Sequence, residues 1–188
     1  MKYAIIKRLG DVVVVFILLI LISPLLFVIA LFIKLHDGGP FIFRQKRIGK
    51  NGIEFQFMKF RSMPVNTPNV VSTQASVLKV TPIGKLIRRT NLDEIPQFIN
   101  VLKGDMSIIG PRPSLPSQTS LLELRKQNGS INLCPGLTGW AQVNAYDYMP
   151  EEEKASLDGE YYQKFGLWMD LRIILGTIKY FTKKPPVY

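Results

Sequence analysis

The sequence predicts a membrane-associated α/β protein, mostly helical, with one small β-hairpin and a long apolar helix near its N-terminus. Three observations carry this. Residues 12–33 are apolar except for Ser23 and Pro24. Two extended stretches at 41–49 and 53–61 flank the turn-prone Gly49-Lys50-Asn51-Gly52. The rest of the chain shows helix-start signals and apolar residues at three- and four-residue steps. A net charge of +10 alongside 47% hydrophobic residues excludes a disordered basic tail.

As a straight helix, residues 12–33 would extend about 33 Å, enough for the hydrocarbon core of a bilayer. The run is too long for a signal peptide, and no small-residue cleavage site follows it. Apolar residues on every side of the helix also argue against an ordinary core helix. Lys2, Lys7 and Arg8 precede the run, and Lys34, Arg44, Lys46 and Arg47 follow it. Basic residues at both ends favour both ends on the cytosolic side. Pro24 removes a backbone N–H and disturbs the contact with the Ile20 carbonyl, so a bend is expected, with Ser23 able to satisfy part of what it exposes. A re-entrant helix broken at Ser23-Pro24 accounts for both features; a kinked spanning helix is the alternative. The expected division is a membrane helix over 1–37 and a cytosolic domain over 38–188.

In the second extended stretch, alternation puts Phe55 and Phe57 on one face and Glu54 and Gln56 on the other. Residues 64–80 form a long polar connection, either a functional lid or a plain surface loop. Thr81-Pro82 is a helix start, with a capping side chain followed by proline at the first helical position. Thr90 with Asp93, and Asn91 with Glu94, form two overlapping capping-box patterns, which place the two acids at or near the start of the next helix. A further helix is expected over 115–127, with Leu121, Leu122 and Leu124 apolar. Near the C-terminus, Trp168, Leu171, Leu175 and Ile178 recur at helical steps, with Lys179, Lys183 and Lys184 close behind. That helix would lie in the membrane interface or pack on the core.

Charge is unevenly placed. Residues 1–90 hold 14 Lys/Arg against three acids, whereas residues 91–188 hold 10 against 11. The positive half contains the apolar run, which points to anionic lipid rather than nucleic acid, for which no recognition motif is present. The single cysteine, Cys134, cannot form an internal disulfide, and a reducing, cytosol-facing environment is the natural reading. The densest chemistry is Arg88-Arg89-Thr90-Asn91-Leu92-Asp93-Glu94, followed by Gly110-Pro111-Arg112-Pro113, with Lys59 and Arg61 at the end of the hairpin. Arginines bind phosphate oxygens in fixed geometry, and a carboxylate among them can bind Mg²⁺ or attack phosphorus. The same charges could simply cap helices and pair on the surface. Gly136-Leu137-Thr138-Gly139-Trp140 matches no phosphate-cradling glycine motif.

These residues resemble those of the bacterial sugar transferase family, specifically its small monotopic polyprenyl-phosphate phosphoglycosyl transferases. The likeness runs from Ser23-Pro24 through Lys59-Phe60-Arg61-Ser62-Met63, the segment 88–97, Asn100-Val101-Leu102-Lys103-Gly104-Asp105-Met106-Ser107, Gly110-Pro111-Arg112-Pro113, the segment 135–144 and Asp170-Leu171-Arg172. The subgroup most resembled comprises the enzymes that begin N-linked glycan assembly in Campylobacter-like bacteria. The resemblance implies transfer of a sugar-1-phosphate, N-acetylated and of the di-N-acetylbacillosamine type, from a UDP-sugar to undecaprenyl phosphate with release of UMP. It implies Asp93 as nucleophile, Glu94 as its partner, Mg²⁺ at that dyad, and Arg88, Arg112, Lys59 and Arg61 as phosphate contacts. It further implies a monotopic protein on the cytoplasmic face of the bacterial inner membrane, in contact with membrane lipids and supplying downstream glycosyltransferases. The rivals are a monotopic lipid- or partner-binding protein without turnover, and a metal-dependent nucleotide-sugar or lipid-phosphate hydrolase. Asn144-Ala145-Tyr146-Asp147 departs from the glycine-arginine pair that many relatives carry there.

Overall fold

The computed structural model describes residues 2–65, 67, 80–146 and 149–181. The polar connection at 64–80 lies almost wholly outside these residues, as do Lys183 and Lys184.

Helix α1 (Lys2–Asp37) continues through Pro24, so the expected break is not an interruption of the helix. The Ser23 hydroxyl donates to the Ile20 carbonyl at 2.9 Å, the acceptor that proline deprives of its N–H. By length and composition α1 could cross a membrane. Its burial nevertheless follows one stripe. Asp11, Val15, Ile29 and Ile33 are buried, while Ile6, Phe16, Leu21, Phe27 and Phe32 are bare. Val15 packs with Phe57, Val101 and Met106, and Ile29 and Ile33 pack with Phe60 and Ile87. The same domain therefore grips α1 on both sides of Pro24.

Lys7 and Arg8 do not serve as a free basic flank. Lys7 pairs with Asp170 at 2.9 Å, and Arg8 donates to the carbonyls of Val101 and Leu102 at 2.5 and 3.0 Å. Asp11 accepts from the Ser107 hydroxyl at 2.6 Å, while Tyr3 and Tyr161 both donate to Asp170 at 2.6 Å. This buried polar cluster fixes the first turns of α1 against the domain. A count of flanking charges cannot separate such internal partners from topology signals.

Strands β1 (Ile42–Ile48) and β2 (Glu54–Phe60) form the expected antiparallel hairpin, with Ile42 opposite Phe60 and Ile48 opposite Glu54. Asn51 takes the left-handed conformation at φ 58° in the turn, where asparagine is tolerated. Helix α2 (Pro82–Arg89) starts as expected, Thr81 Oγ1 accepting from Gly84 N at 3.0 Å. Helix α3 (Gln97–Lys103) and the short strand β3 (Ser107–Ile109) follow. Helix α4 (Thr119–Gln127) begins later than the expected 115.

Strand β4 (Gly136–Thr138) pairs in parallel with β3, placing Ser107 beside Gly136 and Ile109 beside Thr138. This explains the glycine-bounded motif. A Cβ on Gly110 would overlap the Cys134 carbonyl, and one on Gly139 would overlap the Gly110 carbonyl. The glycines allow close backbone approach rather than cradling phosphate.

Helices α5 (Trp140–Val143), α6 (Glu151–Gln163) and α7 (Leu167–Phe181) complete the fold. On α7, Met169 and Ile173 are buried against Ile109 and Tyr161. The stripe singled out from sequence faces outward instead: Trp168 is 80% exposed and Leu175 67%. Core packing of α7 thus runs through a neighbouring face and leaves that apolar stripe bare.

Candidate active site

Asp93 and Glu94 sit in a 3₁₀ turn, Leu92–Glu94, between α2 and α3. The capping boxes are not formed. The Thr90 hydroxyl donates back to the Leu86 carbonyl at 2.9 Å, and Asn91 adopts φ 55° without any side-chain cap. The left-handed residue reverses the chain directly after α2, and the Asn91 carbonyl accepts from Glu94 N at 3.2 Å. A tight turn, not a helix cap, therefore presents the two acids.

Asp93 is 5% exposed. Burial pushes its carboxyl up to about 6, an effect reinforced by Glu94 and opposed by Lys59 and Arg88. Lys59 Nζ lies 4.0 Å from Asp93 Oδ2. Burial draws the Lys59 ammonium below its ordinary value, while Asp93 and Glu94 act to restore it. Glu94 is more open and lies 3.5 Å from Arg112 Nη2. Arg88 is oriented by Ser62, whose hydroxyl accepts from Arg88 Nε at 2.8 Å. Asp93, Glu94, Lys59, Arg88 and Arg112 therefore form one electrostatic cluster, as the sequence led us to expect.

Arg61 is buried, with its guanidinium close against Gly39. Arg47, read from sequence only as a flanking charge, takes a place at the site. Its guanidinium stacks over the Phe57 ring at 5.2 Å and donates to the Pro113 carbonyl at 3.2 Å. Burial first, then the Arg112 charge, lowers its pKa to about 10. Two guanidiniums that disfavour one another beside a carboxylate suit a doubly charged phosphate. The available signal was the strand register, which sets Arg47 across from Phe55, next to the aromatic face.

The Arg112 loop is held from below. Arg125 on α4 is only 6% exposed. It donates to the Arg112 carbonyl at 2.9 Å and to Ser114 Oγ at 2.6 Å, and pairs with buried Asp158 at 2.6 Å. On the other side, Asn100 is fully buried. Its Oδ1 accepts from Met58 N at 3.1 Å and its Nδ2 donates to the Gln56 carbonyl at 2.8 Å. Asn100 thus ties the strand carrying Lys59 to the helix that follows the dyad.

No cluster of three or more His, Cys, Asp or Glu suited to a metal occurs among the described residues. The donor set at the site is Asp93 and Glu94. That fits Mg²⁺, which commonly takes one or two carboxylates and fills its remaining positions with water and substrate phosphate.

Residues 2–184 match the profile of the bacterial sugar transferase family. An Escherichia coli K12 protein named UDP-glucose:undecaprenyl-phosphate glucose-1-phosphate transferase is 43% identical over 183 residues, covering 92% of this chain and 39% of that protein. An Aeromonas hydrophila UDP-N-acetylgalactosamine-undecaprenyl-phosphate N-acetylgalactosaminephosphotransferase is 38% identical, covering 94% of this chain and 44% of its own length. A Caulobacter vibrioides protein with the same name as the E. coli one is 39% identical, with coverage of 92% and 68%. The chain spans about two fifths of the length of the first two. With the family profile matched over nearly the whole chain, the protein belongs to the bacterial sugar transferase family.

Proposed function

We propose that this chain transfers a sugar-1-phosphate from a UDP-sugar to undecaprenyl phosphate through a covalent intermediate on Asp93. The carrying observation is a buried carboxylate 4.0 Å from Lys59 within a cluster that includes Arg88 and Arg112. The relatives' names supply the substrate classes: their donors share uridine diphosphate and differ in the sugar. For this chain we assign an N-acetylated sugar, with di-N-acetylbacillosamine phosphate the specific candidate from the sequence resemblance.

Asp93 attacks the β-phosphorus of the donor. The bond from that phosphorus to the bridging oxygen breaks, and UMP leaves with the oxygen. An oxygen of undecaprenyl phosphate then attacks the same phosphorus, and the Asp93 carboxylate departs unchanged. Lys59 holds Asp93 ionised despite its burial, and Arg112 and Arg88 bind phosphate oxygens. Glu94 orients Arg112 and, together with Asp93, would hold Mg²⁺, which when bound offsets charge on the transferring phosphoryl group.

The acceptor's lipid keeps its phosphate at headgroup depth, so the nucleophile must be held there too. We place the protein monotopically on the cytoplasmic face of the inner membrane, with α1 entering and leaving by one leaflet. Support comes from the grip on both halves of α1. Val15 and Ile29 are about 21 Å apart along a helix, less than the roughly 30 Å of hydrocarbon that a spanning segment must cross. The bare stripe of α7 adds a second apolar surface for the interface. The lipid-linked product is a substrate for glycosyltransferases that extend the glycan.

A panel of UDP-sugars, assayed with purified protein and Mg²⁺, tests the reading. Sustained UMP release only when undecaprenyl phosphate is present is the expected result. Sustained turnover without the lipid would make the protein a hydrolase, and no turnover with any donor would leave a lipid-binding protein. A chelator should stop turnover, with Mg²⁺ restoring it.

A further inference from the structure

The contact between α7 and α1 turns on one buried carboxylate, Asp170, which is 4% exposed. Its two oxygens face different parts of the molecule. Oδ2 accepts from the Tyr3 hydroxyl at 2.6 Å and pairs with Lys7 Nζ at 2.9 Å, both from the first two turns of α1. Oδ1 accepts from the Tyr161 hydroxyl of α6 at 2.6 Å. The Tyr3 and Tyr161 rings each meet Phe165 edge-on, at centroid distances of 5.3 and 5.8 Å. Further along, α7 is fastened again, this time to the rest of the domain. Thr177 Oγ1 lies 2.8 Å from Thr138 Oγ1 of β4, and Gly176 lies against Val143.

This contact joins two bare apolar surfaces. Ile5, Ile6 and Leu9 on α1 are exposed, as are Leu167, Trp168 and Leu171 on α7. The first set runs on into the exposed apolar length of α1, which is long enough to enter a bilayer, so lipid is the partner that covers it. A tryptophan on the second surface suits the headgroup boundary. Apolar residues of similar volume often pack as stably as a buried ion pair. The carboxylate adds direction, because hydrogen bonds to one oxygen fix α7 at one place along α1.

We propose that Asp170 is a levelling joint: it holds the bare face of α7 at the same membrane depth as the first turns of α1, and so sets the depth at which Asp93 meets its lipid-borne acceptor. Asp170, Tyr3 and Lys7 act through α7 and touch neither substrate; they are positioning residues. The proposal rests on the transfer reading above and separates its two half-reactions. A water-soluble UDP-sugar reaches Asp93 at any depth, whereas a phosphate tied to the membrane surface reaches it at only one.

Tyr3→Phe and Tyr161→Phe form a matched test, since each removes one hydroxyl from the same carboxylate and only the first releases α1. The full chain would be studied in phosphatidylcholine–phosphatidylglycerol vesicles, with Trp140→Phe throughout so that Trp168 is the only tryptophan. The readings are the rate of phosphosugar adduct formation without acceptor, the KM for undecaprenyl phosphate, and quenching of Trp168 by lipids brominated high in the acyl chain. Tyr3→Phe should raise the acceptor KM about five-fold, the worth of one hydrogen bond, and change Trp168 quenching. Its rate of adduct formation should stay as in wild type. Lys7→Met should show the same split more strongly, and Tyr3→Phe decides the matter alone if Lys7→Met does not fold. Tyr161→Phe should lower the melting temperature and leave all three readings unchanged. An acceptor KM that does not move in Tyr3→Phe, an adduct rate that falls in step with it, or the same split in Tyr161→Phe would overturn the joint. Trp168 quenching that moves in Tyr3→Phe and not in Tyr161→Phe, in a protein inert toward every UDP-sugar, would keep the joint and sink the transfer reading.

Discussion

Replacing Asp93 by asparagine removes a charge from a place where burial opposes it. The Asp93 carboxyl is raised from its ordinary 3.8 to about 6. Between about pH 4 and pH 6 the folded protein thus keeps a proton that the unfolded chain has already released. Wild-type stability therefore falls as pH rises through that window and stays lower above it. A rise of about two pH units corresponds to about 3 kcal/mol. That figure already contains the attraction of Lys59, because Lys59 is among the charges that set the shift. Asp93→Asn should therefore unfold later than wild type at pH 8 by up to about 3 kcal/mol, several degrees in a chain of this size. At about pH 4 the two should converge. The assay is thermal unfolding in detergent followed by tryptophan fluorescence, with chelator present so that no cation offsets the charge. A variant no more stable than wild type at pH 8, or one whose advantage grows on acidification, would refute the reasoning. Lys59 would then outweigh burial, and Asp93 would be an ordinary stabilising ion-pair partner rather than a strained nucleophile.

Asn100→Leu should destabilise the fold by about 1–3 kcal/mol, since the Met58 N–H and the Gln56 carbonyl lose a buried partner. Turnover should fall further than melting temperature alone explains, because Lys59 adjoins Met58. Arg125→Met should cost about 3–5 kcal/mol by leaving Asp158 buried and uncompensated, and adding Asp158→Leu should recover most of that loss in denaturant titrations. In the doubly substituted chain the donor KM should stay raised, because the Arg112 carbonyl has lost its clamp. Pro24→Ala should straighten α1 and carry a fraction of molecules towards a spanning orientation, read as a change in labelling of residue 2 from either side of sealed vesicles.

Local signals in the sequence were read well, and contacts between distant segments were not. The hairpin was legible because alternation at 53–61 and a Gly-Lys-Asn-Gly turn act over a few residues, and Thr81-Pro82 likewise announces its own helix. Thr90 and Asn91 carry the same kind of signal, yet the chain reverses through a left-handed Asn91 and leaves no room for a cap. The β3–β4 pair was invisible because its strands are three residues long and join segments far apart, with glycines that serve only the close approach. Helix α6 was missed because Asp158 and Gly159 sit on its buried face beside Ala155 and Tyr161, so no apolar period marks it. On α7 the apolar stripe was seen, but only its neighbours decide that Met169 and Ile173 face inward while Trp168 and Leu175 face out.

At the site, Asp93, Glu94, Lys59, Arg88 and Arg112 were all legible as charges in motifs. Arg47, Asn100 and Arg125 act through contacts with residues remote in sequence, which residue type alone does not reveal.

The central claim is a bond between Asp93 and the sugar phosphate, and intact-protein mass tests it most directly. Detergent-purified protein would be mixed with Mg²⁺ and a UDP-sugar, without undecaprenyl phosphate, beside an Asp93→Asn control. The account predicts a mass increase of one phosphosugar with matching UMP, absent from the control and lost when undecaprenyl phosphate is added. UMP formation that requires the lipid, with no adduct under any of these conditions, would contradict it and reduce Asp93 to a metal ligand in a direct transfer.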